Sequence, residues 1–405
     1  MTTQRFLTMF LCCVSFFCCS KSAFGAQQTR QATTEAADPA MYAWEQDRNG
    51  ILSFSDLVLC YGGSTHRTPY RWDEQRFAPF VAYTDKQGKE HWLFDSFLCL
   101  EFQLGYTYAY EVGHRGYTSA GKPQWQELID YYFTDGNGVE ALEEAVKEAA
   151  ARLGKAPQKR KVIMVLPDPV IHRHYIDTTS STTYWGALDG QQLDFSRNED
   201  RIAACKWYID RVRERFAQGN YEHVELAGFY WLREIVTRPV DTQYSYHLTR
   251  SDIMLPHIAD YLHKLDYTFS WIPYYGSRGY DVWQQFGFDQ VYLQPNYYWK
   301  PQNDMDEVCR QIDSLGIGME IEFEPTLLDA REGSGTFRAR LRDYIDYAKR
   351  RNIYGKRPFA YYHGTNGFYD LYASDDEADR ELFDELCRFI INNPLRAQQP
   401  KTGKE

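Results

Sequence analysis

Residues 316–325 read GIGMEIEFEP, and apolar and acidic side chains alternate along them with the period of a β-strand. The apolar set is Met319, Ile321 and Phe323, and the acidic set is Glu320, Glu322 and Glu324. Strongly helical segments flank this strand, and a parallel strand covered by helices should be apolar on both faces. Three adjacent carboxylates repel one another and resist desolvation, so we expect them beside solvent or substrate. The stretch predicts a barrel strand that delivers carboxylates to a cleft, and a solvated strand face is the alternative.

The rest of the chain repeats the same alternation of strand and helix. The predicted strands are 55–63, 95–101, 162–166, 224–231, 269–274, 290–296, 316–325 and 358–363. The predicted helices are 125–153, 199–216, 252–265, 279–286, 304–315, 337–350 and 376–391. The first unit is irregular: it lacks a predicted helix and contains a hairpin, 80–83 with 92–94, around a turn at 85–88.

Eight strands with helices between most of them is the count of a (β/α)8 TIM barrel, in the α/β class. No linker or low-complexity tract divides the chain, which predicts a single domain. A doubly wound open sheet would need a glycine-rich phosphate turn after an early strand, and residues 62–64 (GGS) do not form one. The sequence therefore predicts one TIM barrel.

Charge and aromatic content narrow the class of partner. The net charge is −11, and it becomes −13 without residues 1–25, whose charged groups are Arg5 and Lys21. Nucleic-acid binding needs a basic footprint, so we predict no nucleic-acid partner. Aromatic residues make up 16% of the chain, with 32 Tyr and 10 Trp. These side chains join a flat apolar face to a polar tip, which suits sugar rings and their hydroxyls.

The first residues are typical of an export signal. Arg5 precedes an apolar run, 6–19, that is too short to span a bilayer, and cleavage is expected before Ala26. Cys18 or Cys19 could instead carry the lipid anchor of a bacterial lipoprotein. We predict a signal peptide (1–25), a tether (26–50), the barrel (51–395) and a tail (396–405), with no later membrane span. The protein is expected to be exported: periplasmic, outer-membrane-anchored or extracellular.

The cysteines and histidines do not form recognisable motifs. Five cysteines follow the leader, widely spaced and without a CxxC pair, which predicts buried thiols. His172 and His174 lack a matched third ligand, so we predict no metal site and no cofactor. The sequence also contains no G-x-S-x-G serine, no Walker loop and no HExxH.

In a TIM barrel, the chemistry lies at the carboxyl ends of the strands, so the residues there are the candidates. The predicted substrate-binding residues are Tyr61, Asp95, Glu101, Asp168, Trp231, Tyr274, Gln294, Asn296, Tyr298, His363 and Asn366. Some have structural alternatives. Asp95 could be structural and Asp168 could cap the next segment, while the tyrosines could belong to the core.

Carboxylates at these strand ends suggest glycoside hydrolysis. That reaction needs one carboxyl to protonate the leaving oxygen and another to attack or to activate water. Glu234 follows strand four, and Glu322 and Glu324 lie at strand seven, across the barrel mouth. This arrangement resembles the acid/base and nucleophile of clan A glycoside hydrolases, although that clan has Asn-Glu where this chain has Arg233-Glu234. A surface ion pair of Glu234 with Arg233 or Arg238 is the alternative.

A second resemblance covers most of the mature chain. It is carried by residues 56–63 (DLVLCYGG), 92–97 (WLFDSF), 228–231 (GFYW) and 318–323 (GMEIEF). These segments are similar to an uncharacterised secreted bacterial family, domain of unknown function 4855. The resemblance implies an exported barrel of the kind that degrades polysaccharides.

The sequence therefore predicts a secreted glycoside hydrolase acting on a poly- or oligosaccharide, with Glu234 as general acid/base and Glu322 or Glu324 as its partner. A non-catalytic glycan-binding protein on a TIM barrel is the alternative. A third interpretation is metal-assisted hydrolysis or deacetylation by Asp95, Asp168 and the histidines.

Overall fold

The computed structural model describes residues 54–238 and 250–398. The predicted signal peptide and tether lie outside these residues, as do residues 399–405 of the predicted tail. Within the described ranges, no helix combines the length and apolar character needed to cross a bilayer. All five cysteines that follow the leader are buried free thiols, as predicted.

Eight parallel strands form a closed barrel, which confirms the predicted fold. The strands, β1 to β8 in chain order, are Asp56–Tyr61, Ser96–Leu100, Arg160–Leu166, Val224–Trp231, Thr268–Trp271, Gln290–Leu293, Gly318–Glu322 and Phe359–Tyr362. Each strand pairs with its neighbours in sequence, and β8 pairs with β1, where Val58 lies opposite Tyr361. All eight strands therefore end at one rim, where the candidate side chains are expected.

Nine α-helices accompany the strands in the described residues. In chain order, α1 to α9 are Glu74–Val81, Lys122–Tyr132, Val139–Leu153, Asn198–Gly219, Ser251–His263, Met305–Leu315, Ser334–Arg350, Gly367–Ala373 and Glu377–Ile391. The described residues also contain short 3₁₀ helices at Tyr280–Phe286, Pro325–Leu327 and Pro394–Gln398. Short strands outside the barrel are Ala82–Thr84, Glu90–Trp92, Gln103–Leu104, Tyr108–Ala109, Thr118–Ser119, Ala187–Leu188 and Gln191–Gln192.

The first unit contains the predicted hairpin, Ala82–Thr84 paired with Glu90–Trp92, but it also contains a helix that the sequence analysis missed. Asp73 caps α1 by accepting from the backbone N–H of Arg76. Pro79 lies inside this eight-residue helix, which weakens its local signal. Burial of Phe77 and Phe80 against Trp72 stabilises α1, and that is a tertiary contact.

The predicted helix 125–153 is wrong as one element, because the structure divides it into α2 and α3. Gly138 interrupts it with φ = 61°, and a Cβ there would lie 2.3 Å from the carbonyl oxygen of Tyr132. Only glycine fits that conformation and that close approach. Helix α8 was also missed, since at seven residues it is too short to show a helical period.

The two faces of β7 separate as the alternation predicts. Tyr61 of β1 and Tyr230 of β4 both interact with Glu320, although neither strand adjoins β7, so the acidic face points into the barrel. The alternative of a solvated strand face is wrong for two of the glutamates. Glu320 is 2% exposed and Glu322 is 1% exposed.

Candidate functional site

Glu234 lies three residues beyond the end of β4 and is half-buried at the rim. Its Oε1 accepts a hydrogen bond of 2.7 Å from Gln294 Nε2, which also donates to the carbonyl of Ile272 at 2.9 Å. Burial raises the pKa of Glu234 to about 7, and the charge of Glu111 adds to the effect. Glu234 therefore holds a proton through much of the neutral range, as a general acid requires.

Glu322 is the last residue of β7. The Tyr344 hydroxyl of α7 donates a hydrogen bond to its Oε2, and the backbone N–H of Asn296 also donates to the carboxylate. Asn296 adopts a left-handed φ of 56° in the loop after β6. Burial raises the pKa of Glu322 to about 8 against these donors, and the charge of Glu234 raises it further. The two carboxyls thus interact across the barrel mouth.

Glu320 lies two residues before Glu322 on the same inner face. Its Oε1 is buried without a hydrogen-bond partner. Burial raises its pKa well above the usual value, and the charges of Glu322 and Glu234 add to the effect. Three interacting carboxyls therefore lie inside the mouth, and their mutual repulsion favours protonated forms.

Glu324 lies beyond β7 in a different environment. It is half-buried, and burial raises its pKa, against hydrogen bonds from the Trp299 indole and the Tyr362 hydroxyl. The Tyr362 hydroxyl donates at 3.3 Å. The Tyr362 ring lies 5.7 Å from Trp299 and 6.0 Å from Tyr61, edge-on to both. We call these three rings the aromatic wall, and two of them, Trp299 and Tyr362, contact Glu324.

The structure brings some predicted residues together and adds others. Tyr61, Gln294 and Asn296 contact or interact with the carboxyls, and half-buried Tyr274 bridges to Gln294. Tyr298 is buried and supports the loop after β7, with its hydroxyl 2.8 Å from Thr326 Oγ1. The residues that the sequence list omitted are Trp299, Lys300, Glu320, Tyr230, Tyr344, Tyr362 and Glu111. Glu320 carried a signal, the alternation of β7, whereas Tyr344 reaches the site from a helix.

Asp95 lies at the opposite end of the barrel. It immediately precedes β2 and accepts backbone hydrogen bonds from Ser55 at 2.8 Å and Asp56 at 2.9 Å. The sequence analysis treated β2 as starting at Asp95 and grouped that residue with strand ends. Its placement at the amino end contradicts a role at the rim, and its contacts hold the start of β1.

Three further candidates point away from the mouth. Trp231 pairs in register with Trp271, which stacks on Phe288 at 5.0 Å in the layer outside the barrel. His363 Nε2 lies 2.8 Å from the carbonyl oxygen of Leu59, and burial lowers its pKa to about 3. Asn366 accepts from Arg76 and donates to Asp370 next to α8. A substrate-binding role for these residues is not supported by their positions.

Glu101 and Asp168 are buried in ion pairs. Glu101 pairs with Arg67 and accepts from the backbone N–H of Phe102 at 2.8 Å. Asp168 lies 4.0 Å from Arg201 and 3.9 Å from Arg233. Arg233 thus turns toward Asp168, and no described Lys, Arg or His nitrogen lies within 4 Å of the Glu234 carboxylate. The alternative of a surface ion pair for Glu234 is therefore not what the structure has.

The histidines that were considered as metal ligands stabilise a loop: His172 Nδ1 lies 3.3 Å from the Ser180 carbonyl oxygen, and the His174 backbone N–H donates to Ser180 Oγ at 3.1 Å. Across residues 54–238 and 250–398, no group of three or more His, Cys, Asp or Glu side chains is arranged to hold a metal ion.

The solved structures to which the chain is similar are distant in sequence. The catalytic domain of the Bacillus sp. JAMB-750 GH26 endo-β-1,4-mannanase is 11% identical, with 88% of this chain and 91% of that chain covered and a TM-score of 0.41. The hyperthermostable endo-1,4-β-D-mannanase of Thermotoga petrophila RKU-1 is 12% identical, with coverage of 83% and 99% and a TM-score of 0.40. A GH20 module of the pneumococcal exo-β-D-N-acetylglucosaminidase StrH is 13% identical, with coverage of 86% and 88% and a TM-score of 0.39.

No curated protein matches the chain. Residues 56–388 match the domain of unknown function DUF4855, which spans the whole barrel from β1 into α9. The predicted resemblance is confirmed, and the chain belongs to the DUF4855 family.

Proposed function

We propose that this protein hydrolyses a glycosidic bond in a poly- or oligosaccharide, with Glu234 as general acid and Glu322 as its partner carboxylate. One observation carries the proposal: carboxyls from β4 and β7 interact across the barrel mouth, and Glu234 has a pKa of about 7. A carboxyl that keeps its proton near neutral pH can protonate the leaving oxygen, while its partner attacks or activates water.

The hydrogen bonds of each carboxyl support this division of roles, whereas burial opposes it, because the pKa of Glu322 is about 8 and that of Glu234 is about 7. Glu322 receives two hydrogen bonds, from Tyr344 and from the backbone of Asn296, and such donors stabilise a carboxylate. Glu234 receives one, from Gln294. The reactive form has a proton on Glu234 and none on Glu322. Repulsion between the two carboxyls favours the two forms of the pair that carry a single negative charge. The reactive form is one of these two.

Glu322 is a better partner than Glu324. The charge of Glu234 raises the pKa of Glu322, whereas the pKa of Glu324 is governed by burial and by Trp299 and Tyr362. Glu324 lies instead beside the aromatic wall, where a sugar ring can stack and donate hydroxyl hydrogen bonds to a carboxylate. We assign Glu324 to sugar binding.

The test is a reducing-sugar assay over plant and host polysaccharides with the wild type and the variants Glu234→Gln, Glu322→Gln and Glu324→Gln. Exposed Glu222→Gln is the matched control, because it removes the same charge from the amino end of the barrel, just before β4. We expect the first two variants to lose at least about a hundredfold in kcat, and Glu324→Gln to act mainly on KM. Full activity of a folded Glu322→Gln protein would refute its assignment and leave Glu324 as the partner.

Glycan binding without turnover is the second candidate, and the burial of Glu322 favours it, because that carboxyl is 1% exposed. Calorimetric binding of a glycan by the wild type, with no reducing ends released over a day, would establish a binding protein.

We also propose that the protein acts outside the cytoplasm, on the basis of the charge and apolar pattern of residues 1–25. Cell fractionation with and without those residues tests export. Metabolic labelling with a lipid precursor, compared between the wild type and a Cys18→Ser/Cys19→Ser variant, distinguishes a lipid anchor from a cleaved signal.

A further inference from the structure

The barrel mouth has an excess of acid that the described chain does not neutralise. Four carboxyls surround it: Glu234, Glu320, Glu322 and Glu324. In the described ranges, no Lys, Arg or His nitrogen forms an ion pair with any of the four, although the charge of Lys300 reaches Glu234 and Glu322. Other buried acids are compensated by a cation or by backbone donors: Glu101 pairs with Arg67, and the Glu143 carboxylate accepts from the backbone N–H groups of residues 222–224. Buried charged groups are normally paired or hydrogen-bonded, and the mouth carboxyls have no paired cation within the described ranges.

Glu320 adds an independent observation. It is 98% buried, and its Oε1 has no hydrogen-bond partner. It lies at the base of the mouth, close enough to Glu322, Glu234 and Tyr61 for the charges to interact. A neutral sugar could offer hydroxyl donors to this oxygen, but it would leave the carboxyls in the protonated forms that burial and repulsion favour. An ammonium group offers three donors and a positive charge.

We infer that the preferred substrate is a glycan whose sugar units carry free, protonated amino groups, and that Glu320 receives the ammonium of the bound unit. The inference rests on the proposed function for the location of the sugar. The aromatic wall supplies the stacking face, and the carboxyls supply the charge complement. An N-acetylated sugar lacks the positive charge that would favour ionised carboxyls at the base of the mouth.

The binding test uses the Glu234→Gln protein, so that the ligand survives, and two pairs of hexasaccharides matched in linkage. One pair is a β-1,4-glucosamine hexamer and its N-acetylated form; the other is an α-1,4-galactosamine hexamer and its N-acetylated form. Isothermal titration calorimetry at pH 6.5 in phosphate and in a high-ionisation-enthalpy buffer reports affinity and proton release together. Because the ammonium favours ionised carboxyls, binding of the free amine releases protons.

We expect the free-amine member of at least one pair to bind about tenfold tighter or better, with proton release and an affinity that falls with salt. Glu320→Gln keeps the size of the side chain and removes its charge, so it should weaken free-amine binding about 30-fold and reduce the proton release. The control Glu222→Gln should change neither quantity.

Equal or tighter binding of the N-acetylated members would overturn the inference, as would no binding in either pair. Free-amine affinity unchanged by Glu320→Gln would overturn the role of Glu320. Turnover separates the two proposals. If an N-acetylated or neutral glycan is cleaved and the cleavage depends on Glu234, the proposed hydrolase activity stands and the proposed preference for amino sugars is refuted. If the free-amine glycan binds tightly and the wild type never cleaves it, the proposed amine site stands and the proposed hydrolase activity is refuted.

Discussion

The bond from Tyr344 to Glu322 gives the sharpest prediction about the proposed mechanism. Tyr344→Phe removes one hydroxyl and keeps the ring of a fully buried side chain. A hydrogen bond to a charged acceptor contributes about 1.5–3 kcal/mol. Since about 1.4 kcal/mol corresponds to one pKa unit, the pKa of Glu322 should rise from about 8 by roughly one to two units.

The change should appear in the pH dependence of kcat/KM. Turnover needs a proton on Glu234 and none on Glu322, and their pKa values are about 7 and about 8. The reactive form is therefore a minority, roughly 6% near pH 7.5. In Tyr344→Phe that fraction falls about 10- to 100-fold at pH 7, and the alkaline limb moves upward by about one to two pH units. The defect should shrink above pH 9, where Glu322 of the wild type is already ionised.

Tyr361→Phe is the matched control. Its hydroxyl donates to the Asp56 carboxylate at 2.7 Å, so the same substitution removes the same kind of bond near the amino end of the barrel. It should lower the free energy of unfolding and leave the pH profile unchanged. An unshifted alkaline limb in Tyr344→Phe, with a uniform loss of activity at every pH, would refute the reasoning and reduce Tyr344 to a structural residue.

Three further predictions concern Gln294, His363 and Asp95. Gln294→Leu removes the donor that lowers the pKa of Glu234, so that pKa should rise above about 7. The acidic limb of the kcat/KM profile should move to higher pH with it, and an acidic limb at the wild-type pH would contradict the prediction. His363 is held neutral, with a pKa of about 3, so its stabilisation is present above pH 6.5 and is lost as pH falls. The free energy of unfolding in urea should fall by about 2 kcal/mol more in the wild type than in His363→Phe between pH 6.5 and 4.5. Asp95→Asn should cost about 1–3 kcal/mol in unfolding experiments without changing kcat/KM, and a catalytic defect in the folded protein would restore Asp95 to the site.

The alternation of residues 316–325 and seven similar apolar segments were enough to predict the barrel, because strand periodicity is local in sequence. The same rule found Glu234 and Glu322, since a residue next to a strand's carboxyl end must lie at the rim. It failed for Asp95, because the sequence does not mark where β2 begins. The start of the strand depends on its pairing, Leu57 with Ser96, which is a contact between distant segments.

The tertiary structure decided which side chains of a strand end face the mouth and what charge they carry. Trp231 and Tyr230 are adjacent in sequence, yet one packs outside the barrel and the other points inside, because register determines the face. Likewise, Glu320, Glu322 and Glu324 are equivalent in the alternation, but burial and partners separate them. Tyr344 comes from a helix 22 residues beyond Glu322, and such a partner can be identified only when the chain has folded. Sequence determined the fold and the presence of acids at its rim, and three-dimensional packing determined their protonation, because pKa depends on solvent exclusion and on neighbours that are distant in sequence.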